Sequence, residues 1–296
     1  MKSKRFKSFY QNLSYLDIQE LIEYFSIFDG FYNLTLLRKY ENLIENIEQN
    51  ILRDFDNLKK IFIFSEDKNL QADIEKTLHK LATGNRKHYS IYKDITQAQG
   101  KKVYKILYEL NIIQKEISRE KPIDKRFGAI KKELRGYKKE DKVRFSKEFY
   151  RFWYSFIYPN YDLLEKKQYK AVLDDIKRNL DYFVSKFFEE LSNELIKKIY
   201  SGKVLEFGGY WDKNVEIDLY VKLQDDLYIV GECKWTNHKI SKNTLNKLKK
   251  VSTKASLKYD YCALFSKSGF SKELEKNKDK ELLLYDLDKF NRLLND

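Results

Sequence analysis

Cysteine is nearly absent from this chain, which carries only Cys233 and Cys262 among its 296 residues. Two thiols so far apart cannot form a thiolate metal cluster, so we expect both to be buried and reduced in strands. Histidine is almost as rare, and the copies at 79, 88 and 238 lack metal-ligand spacing. A metal centre built from cysteine or histidine is therefore not expected.

Long apolar runs are missing as well, because no window approaches the roughly 20 apolar residues that span a bilayer. With reduced thiols, this predicts a cytoplasmic protein without a membrane partner. The sequence also has neither a glycine-rich phosphate loop nor a Gly-Lys-Ser/Thr motif. We therefore expect no ATPase activity.

Basic residues are in excess, with 58 Lys and Arg against 45 Asp and Glu and a net charge of +13. Such a balance favours an anionic partner such as DNA. The excess is mainly lysine in a chain rich in Asn, Ile, Tyr and Phe, residues that accumulate together in AT-rich genomes. Net charge alone is therefore a weak guide to function.

Odd positions between 215 and 235 carry the apolar side chains of two segments around a short polar turn. This period of two predicts a half-buried antiparallel strand pair. If the apolar faces coincide, Asp218 lies opposite Glu232 and Glu216 opposite Lys234, about 5 Å apart. The even face then brings two carboxylates and a lysine together. An ordinary solvated face with salt bridges is the alternative.

The order of these elements resembles that of the PD-(D/E)xK nuclease superfamily: a helix, a strand ending in Asp, a hairpin, and a strand with Glu-x-Lys. Glu-Ile-Asp at 216–218, followed by Gly-Glu-Cys-Lys-Trp-Thr-Asn at 231–237, is more specifically similar to the nuclease-like C-terminal DUF234 domain of archaeal-type AAA ATPases. Segments 151–154 and 158–160 resemble the aromatic stretch that precedes that domain. The resemblance covers about the last half of the chain.

The resemblance implies roles for named residues. Asp218 matches the first acidic motif, Glu232 and Lys234 match Glu-x-Lys, and Ile217 stands where the superfamily name has proline. Carboxylates suit Mg²⁺ or Mn²⁺, which lower the pKa of a bound water, while the lysine stabilises added negative charge. The implied activity is hydrolysis of DNA phosphodiester bonds by an endonuclease-like enzyme.

A helix before the hairpin supplies the last acidic candidate. Its apolar side chains recur at helical spacing, so the helix should pack on the sheet. Glu189 lies at the flank of that stripe and, by the resemblance, completes the catalytic and metal set. Glu190 or Glu206 could take its place, and a solvated glutamate is an equal alternative for Glu189.

The rival hypothesis is a catalytically inactive DNA-binding or regulatory protein that uses the nuclease-like fold as a scaffold. Relatives with the same C-terminal half usually begin with a P-loop ATPase core, and residues 1–70 resemble the helical lid that follows such a core. A separate ATPase, another protein partner or a homodimer therefore remains open.

Residues 71–125 predict a winged helix-turn-helix domain. Gly84 would stop the first helix, Ser90 would cap a short second one, and the third would run from about Gly100 to Leu110 with Leu110 inward. The run from 112 to 121 would be the wing strand pair.

Lysines mark two candidate DNA contacts. Lys101, Lys102 and Lys105 lie on the predicted third helix, which enters the major groove in DNA-binding versions of this domain. Lys249 lies on a helix predicted near 241–257 and could line a DNA channel. A protein contact or spacer role for the winged helix, and plain solvation of the lysines, are alternatives.

The remaining segments complete the predicted multidomain α+β or α/β architecture. Residues 126–170 read as a basic and aromatic helical linker, in which aromatics from 145 to 161 favour core packing over base stacking. Residues 171–296 would form a restriction-endonuclease-like mixed sheet flanked by helices, with further strands at 259–266 and 282–287.

Overall fold

The computed structural model describes residues 2–84, 86–120 and 140–295. Most of the basic stretch after residue 126 lies outside them. The chain is α+β, and it separates into two compact units. None of the helices in the described part combines the length and apolar character needed to cross a membrane. The first unit holds residues 3–116 and 142–187, and the second holds Lys2 and the described residues of 117–141 and 188–296.

The start of the first unit is mostly helical, as predicted. Its elements are α1 (Lys2–Asn12), α2 (Ile18–Phe28), α3 (Leu43–Ile47) and α4 (Phe55–Lys59), with 3₁₀ helices at Leu34–Lys39 and Lys60–Phe62 and a π-helical turn at Glu48–Leu52. Asp17 and Glu20 form a capping box, in which each side chain accepts the other's backbone N–H. Helix α2 therefore begins at Ile18.

Three helical segments and one strand occupy the region predicted as a winged helix. They are α5 (Lys68–Ala82), a 3₁₀ helix (His88–Lys93), α6 (Gln97–Glu109) and β1 (Ile113–Glu116), and the strand that pairs with β1 is β2 (Lys142–Phe145). Ser90 is not a cap, because it lies inside the 3₁₀ helix and its carbonyl accepts a hydrogen bond from Lys80. Leu110 is 51% exposed rather than inward, since α6 ends before it.

The wing prediction was wrong about the second strand. β1 pairs antiparallel with β2, from Ile113 opposite Phe145 to Glu116 opposite Lys142. The partner therefore comes from a segment that we assigned to the basic linker, not from residues 117–121. Strand pairing is set by packing and register, which short-range patterns do not encode when the partner is distant in the chain.

Aromatic side chains form the core around α7 (Glu148–Phe152), as predicted. Trp153 is fully buried and stacks on Phe62 with ring centroids 4.1 Å apart. Helical structure continues past Pro159, because this residue lies in the first turn of a 3₁₀ helix (Tyr158–Asn160), where proline is tolerated. A π-helical turn (Trp153–Ile157) precedes that helix, and α8 (Tyr161–Glu165) follows it.

The second unit contains a mixed sheet, which in the described part has five strands in the order β3-β6-β7-β8-β9. The strands are β3 (Val204–Glu206), β6 (Leu219–Leu223), β7 (Tyr228–Lys234), β8 (Tyr261–Ser266) and β9 (Leu282–Tyr285). β6 is antiparallel to β3 and β7, and the last three strands are parallel. Other elements are a separate pair, β4 (Tyr210–Trp211) and β5 (Glu216–Ile217), the helices α10 (Lys242–Lys254) and α11 (Lys272–Glu275), and 3₁₀ helices at Gln224–Asp226 and Leu287–Leu293. The long helix α9 (Tyr169–Ile199) begins in the first unit and belongs to the second from Phe188 onward.

Both faces of this sheet are covered. On one face Tyr220 and Val230 share a buried cluster with Leu248 of α10. On the other, Phe265 of β8 contacts Phe290, with ring centroids 6.4 Å apart, and Phe290 packs against Phe188 of α9 at 5.0 Å. The prediction of a half-wet hairpin was therefore wrong, because parallel neighbours place helices over both sides of the sheet.

Candidate functional site

The hairpin of β6 and β7 has the predicted register. Leu219 pairs with Gly231, so the same register extended by one residue sets Asp218 opposite Glu232. Glu216 does not face Lys234 as predicted. It belongs instead to β5, which pairs with β4.

The chain departs from regular strand geometry at Asp218, which lies between β5 and β6. Ile217 is buried in the same cluster as Tyr220 and Val230, although strict alternation would put it on the opposite face. The parity argument therefore fails at this point of the chain. The carboxylates come together through the end of the hairpin and through α9, not through one regular face.

Hydrogen bonds hold Asp218 in place on both sides of its Cα atom. Its Oδ2 atom accepts the backbone N–H of Cys233 at 2.9 Å. Its backbone carbonyl accepts a hydrogen bond from Asn193 Nδ2 at 3.2 Å. β7 and α9 thus fix the side chain and the backbone of Asp218, respectively.

The electrostatics of Asp218 are unfavourable for a carboxylate. Burial raises its pKa well above the usual range, and the charges of Glu189 and Glu232 raise it further. The N–H of Cys233 and the charge of Lys234 oppose these effects without cancelling them. Both Glu189 and Glu232 are therefore near enough for their charges to act on Asp218.

Lys234 forms an ion pair with Glu232, with 2.5 Å between Nζ and Oε1. Burial alone would lower the pKa of Lys234, but the hydrogen bond and charge of Glu232 outweigh it and the pKa is raised. The lysine therefore stays charged at neutral pH. Its side chain remains 38% exposed, so it can reach a ligand from solvent.

Helix α9 supplies Glu189, the first choice among the acidic candidates. Glu190 forms an ion pair with Lys2, and Glu206 lies on β3 opposite Lys222. Among the charged side chains, Glu189 has the largest effect on the pKa of Asp218, and neither Glu190 nor Glu206 is among the main influences on it.

Asn193 was missed by sequence analysis. It follows Glu189 by one helical turn, and its Nδ2 also donates to the Glu189 carbonyl at 2.9 Å. Its Oδ1 is buried and has no hydrogen-bond partner among the described residues. The i, i+4 spacing from Glu189 was the available signal, because such residues share a helix face.

The side chains that act on Asp218 include the carboxylates of Glu189 and Glu232 and the amide of Asn193, and hard divalent cations prefer oxygen ligands. The mutual repulsion of the carboxylates and the unpaired Oδ1 of Asn193 both fit a nearby cation. Within the described ranges, however, no three His, Cys, Asp or Glu side chains stand close enough to hold a metal ion. Lys234 already occupies Oε1 of Glu232.

The three lysines predicted on the third helix all lie exposed on α6. Lys101 and Lys102 fall in its first half, and Lys105 Nζ is 3.9 Å from Glu109 Oε1. These side chains belong to the first unit, whereas Asp218 belongs to the second.

Lys249 lies away from the carboxylates. Its Nζ is 3.9 Å from Asp279 Oδ2. Burial raises the pKa of the Cys262 thiol to about 11, and the charge of Lys249 opposes that rise. Cys262 pairs with Val230, four residues before Lys234, which corresponds to about 13 Å along the strand.

Both cysteines are buried in strands, as predicted.

One comparison with known proteins gives a match. No curated protein and no solved structure matches the chain. The model of the family DUF234, described as "Archaea bacterial proteins of unknown function", matches residues 153–250. The chain is therefore similar to DUF234 over a stretch that includes Glu189, Asp218, Glu232 and Lys234.

Proposed function

We propose that the second unit is a Mg²⁺- or Mn²⁺-dependent DNA endonuclease that hydrolyses phosphodiester bonds. The observation that carries this proposal is the position of Asp218, held by hydrogen bonds and raised in pKa by burial and by Glu189 and Glu232. Such a cluster of like charges is unfavourable unless a cation neutralises it. Perturbed carboxyl groups of this kind concentrate at functional sites.

Topology supports a restriction-endonuclease-like core. The order is a helix (α9), three antiparallel strands (β3, β6, β7), a crossover helix (α10) and a parallel strand (β8). Asp218 directly precedes β6, and Glu232 and Lys234 end β7. This is the element order and motif placement on which the resemblance to PD-(D/E)xK nucleases rests.

The chain's own residues take distinct parts in the proposed reaction. Glu189, Asp218 and Glu232 would hold the cation, which supplies an activated water and charge neutralisation at the phosphate. Cys233 N–H keeps one oxygen of Asp218 in a fixed direction. Lys234, charged at neutral pH, stabilises the negative charge that develops on the scissile phosphate.

The first unit would guide DNA to this site. Helices α5 and α6 with the 3₁₀ helix between them, followed by the β1–β2 pair, have the element order of a winged helix. Exposed Lys101, Lys102 and Lys105 on the third helical segment would contact phosphates.

A second candidate function has an observation of its own. The ion pair between Lys234 and Glu232 satisfies both groups without a ligand, and no tight metal-binding group is formed by the described residues. These facts favour a DNA-binding or regulatory protein in which the nuclease-like fold is only a scaffold.

Cleavage assays separate the two candidates. Wild-type protein with Mg²⁺ or Mn²⁺ should cut at least one of supercoiled, linear, branched or single-stranded DNA. Asp218→Ala and Lys234→Ala should each lower the rate by at least about 100-fold, because each removes charge stabilisation at the reacting phosphate.

Matched controls are Asp226, at the turn of the same hairpin, and its partner Lys258, which precedes β8. Asp226 and Lys258 form an exposed ion pair with 2.6 Å between Oδ2 and Nζ, and their alanine variants should cleave like wild type. If wild type leaves every substrate intact, as the Asp218 variant does, the nuclease proposal fails and the scaffold role is favoured.

A further inference from the structure

A short segment from outside the predicted nuclease-like domain packs inside the second unit. Ser118 Oγ donates to the Trp211 carbonyl at 2.6 Å and accepts the Trp211 N–H at 2.9 Å. One residue later, Arg119 N–H donates to the Gly209 carbonyl at 3.1 Å. The backbone of Arg119 is therefore fixed against residues 209–211.

The guanidinium of Arg119 lies against Gly208. A Cβ atom at Gly208 would be 3.2 Å from Arg119 Nε, and Gly208 has φ of +146°, a conformation that side chains rarely adopt. Arg119 Nε is buried and has no hydrogen-bond acceptor in the described part of the chain. Nη1 makes only a 3.5 Å contact with Glu206 Oε2, whose side chain is 59% exposed. An exposed pair of this kind contributes little stability.

The segment that contacts Arg119 also contacts the backbone of Asp218. The residue after Gly208 approaches Asp218, since a Cβ atom at Gly209 would lie 3.7 Å from the Asp218 carbonyl oxygen. Lys197, one turn beyond Asn193 on α9, places its Nζ 4.8 Å from the ring centroid of Phe207. Two cations therefore flank residues 207 and 208.

We propose that Arg119 binds a backbone phosphate of the nucleic acid beside the segment that contacts Asp218, with Lys197 adding positive charge at Phe207. A guanidinium presents its donors as a rigid fork that matches two phosphate oxygens. Because Nε is buried against Gly208, the two terminal nitrogens would contact the phosphate, and the contact of Nη1 with Glu206 is weak enough to be displaced. The inference deepens the proposed nuclease function and rests on it for the choice of ligand.

DNA affinity measured without catalysis tests this proposal. Fluorescence anisotropy of labelled duplex DNA with the full chain, in EDTA so that no hydrolysis occurs, gives Kd as a function of salt. Arg119→Ala should weaken binding by roughly 5- to 20-fold at low salt and reduce the salt slope by about 1.

A matched control is Arg178→Ala. Arg178 Nη2 lies 3.5 Å from Asp175 Oδ1, the same distance as between Arg119 and Glu206, but this pair belongs to the first unit. We expect its Kd to stay within about twofold of wild type. Equal losses in the two variants would mean that net charge alone governs affinity, and would overturn the proposal.

Glu206→Gln gives a prediction of opposite sign. If Glu206 competes with phosphate for Arg119, this variant should bind DNA roughly two- to threefold more tightly. In the double variant with Arg119→Ala the gain should disappear, because the two side chains act through one contact. Should Arg119→Ala fail to fold, Glu206→Gln alone decides, and unchanged or weaker binding overturns the proposal.

Failure of this inference is distinguishable from failure of the nuclease proposal. If wild type never cleaves but Arg119→Ala loses affinity and Glu206→Gln gains it, the phosphate site stands without the enzyme activity. If Asp218→Ala abolishes cleavage while Arg119→Ala binds DNA like wild type, the enzyme stands and the phosphate site does not.

Discussion

Two aspartates, the buried Asp29 of the first unit and the half-buried Asp218 of the second, differ in the charges that act on them. Asp29 in the first unit is 4% exposed and faces Arg5, with Nε–Oδ1 and Nη2–Oδ2 distances of 3.0 and 2.8 Å. Asp218 in the second unit faces Glu189 and Glu232 instead. Burial raises the pKa of both carboxyl groups, but Arg5 opposes the rise at Asp29 whereas like charges increase it at Asp218.

The first arrangement serves structure. Arg5 also donates to the Ser146 carbonyl at 2.9 Å, and the Asp29 carbonyl accepts the Phe149 N–H at 3.0 Å. The Asp29–Arg5 pair thus joins α1, the end of α2 and the start of α7. The second arrangement brings like charges together at a cost in stability, and such a cost is typical of sites kept for ligand binding.

The comparison can be tested by replacing each aspartate with asparagine, and the larger change in stability is expected at Asp29. Asp29→Asn should destabilise the first unit by about 2 to 3 kcal/mol, because the Arg5 charge loses its counter-ion and meets an amide. Urea unfolding gives the size of the effect. Hydrogen exchange of amides in residues 3–116 assigns it to the first unit, since two units need not unfold together.

The control for this prediction is Asp56→Asn on α4, an exposed aspartate of the same unit. Its stability should match wild type. If Asp29→Asn is as harmless as the control, the Asp29–Arg5 pair contributes no more than a surface salt bridge and the structural side of the comparison fails.

Local sequence patterns predicted one of these sites and not the other. Period-two alternation and the hairpin turn gave the register that sets Asp218 opposite Glu232, and helical spacing placed Glu189 on α9. Nothing local marked the Arg5–Asp29 pair, because its members lie on different helices and meet only through tertiary packing. Whether the four predicted site residues act as a catalytic set stays a prediction.

Two features of the fold were beyond sequence reasoning for the same physical reason. The partner of β1 comes from residues 142–145, and alternation breaks between Ile217 and Asp218. Each depends on contacts between segments far apart in the chain. A period of two tells which side chains share a face only while the strand stays regular.

A smaller effect of opposite sign is expected at the second site. Asp218→Asn should stabilise the second unit by about 1 kcal/mol at neutral pH without metal, because it removes like-charge repulsion at nearly constant shape. Added Mg²⁺ should raise the Tm of wild type and leave this variant unchanged. Loss of stability in Asp218→Asn, with no Mg²⁺ effect on wild type, would contradict the account of a strained carboxylate cluster.

The pH dependence of that difference follows from the raised pKa. Below the unfolded value of 3.8, Asp218 is neutral in both states, and the wild type keeps its full stability. Stability is then lost as pH rises through the higher folded-state pKa. The advantage of Asp218→Asn should therefore be absent near pH 3 and grow towards neutrality. An advantage that is constant with pH would point to packing rather than charge.

The smallest effect belongs to Asp226, an exposed aspartate at the turn of the same hairpin. Hydrogen bonds from Lys258 and Tyr228 lower its pKa, so its contribution is present above pH 3.8 and lost as the pH falls through the folded-state value. Asp226→Asn should therefore be slightly less stable than wild type at neutral pH and equal to it in acid. Parallel urea titrations of the Asp218 and Asp226 variants should give pH trends of opposite sign. A shared sign would mean that net charge, rather than the local partners of each carboxyl group, controls the stability of the second unit.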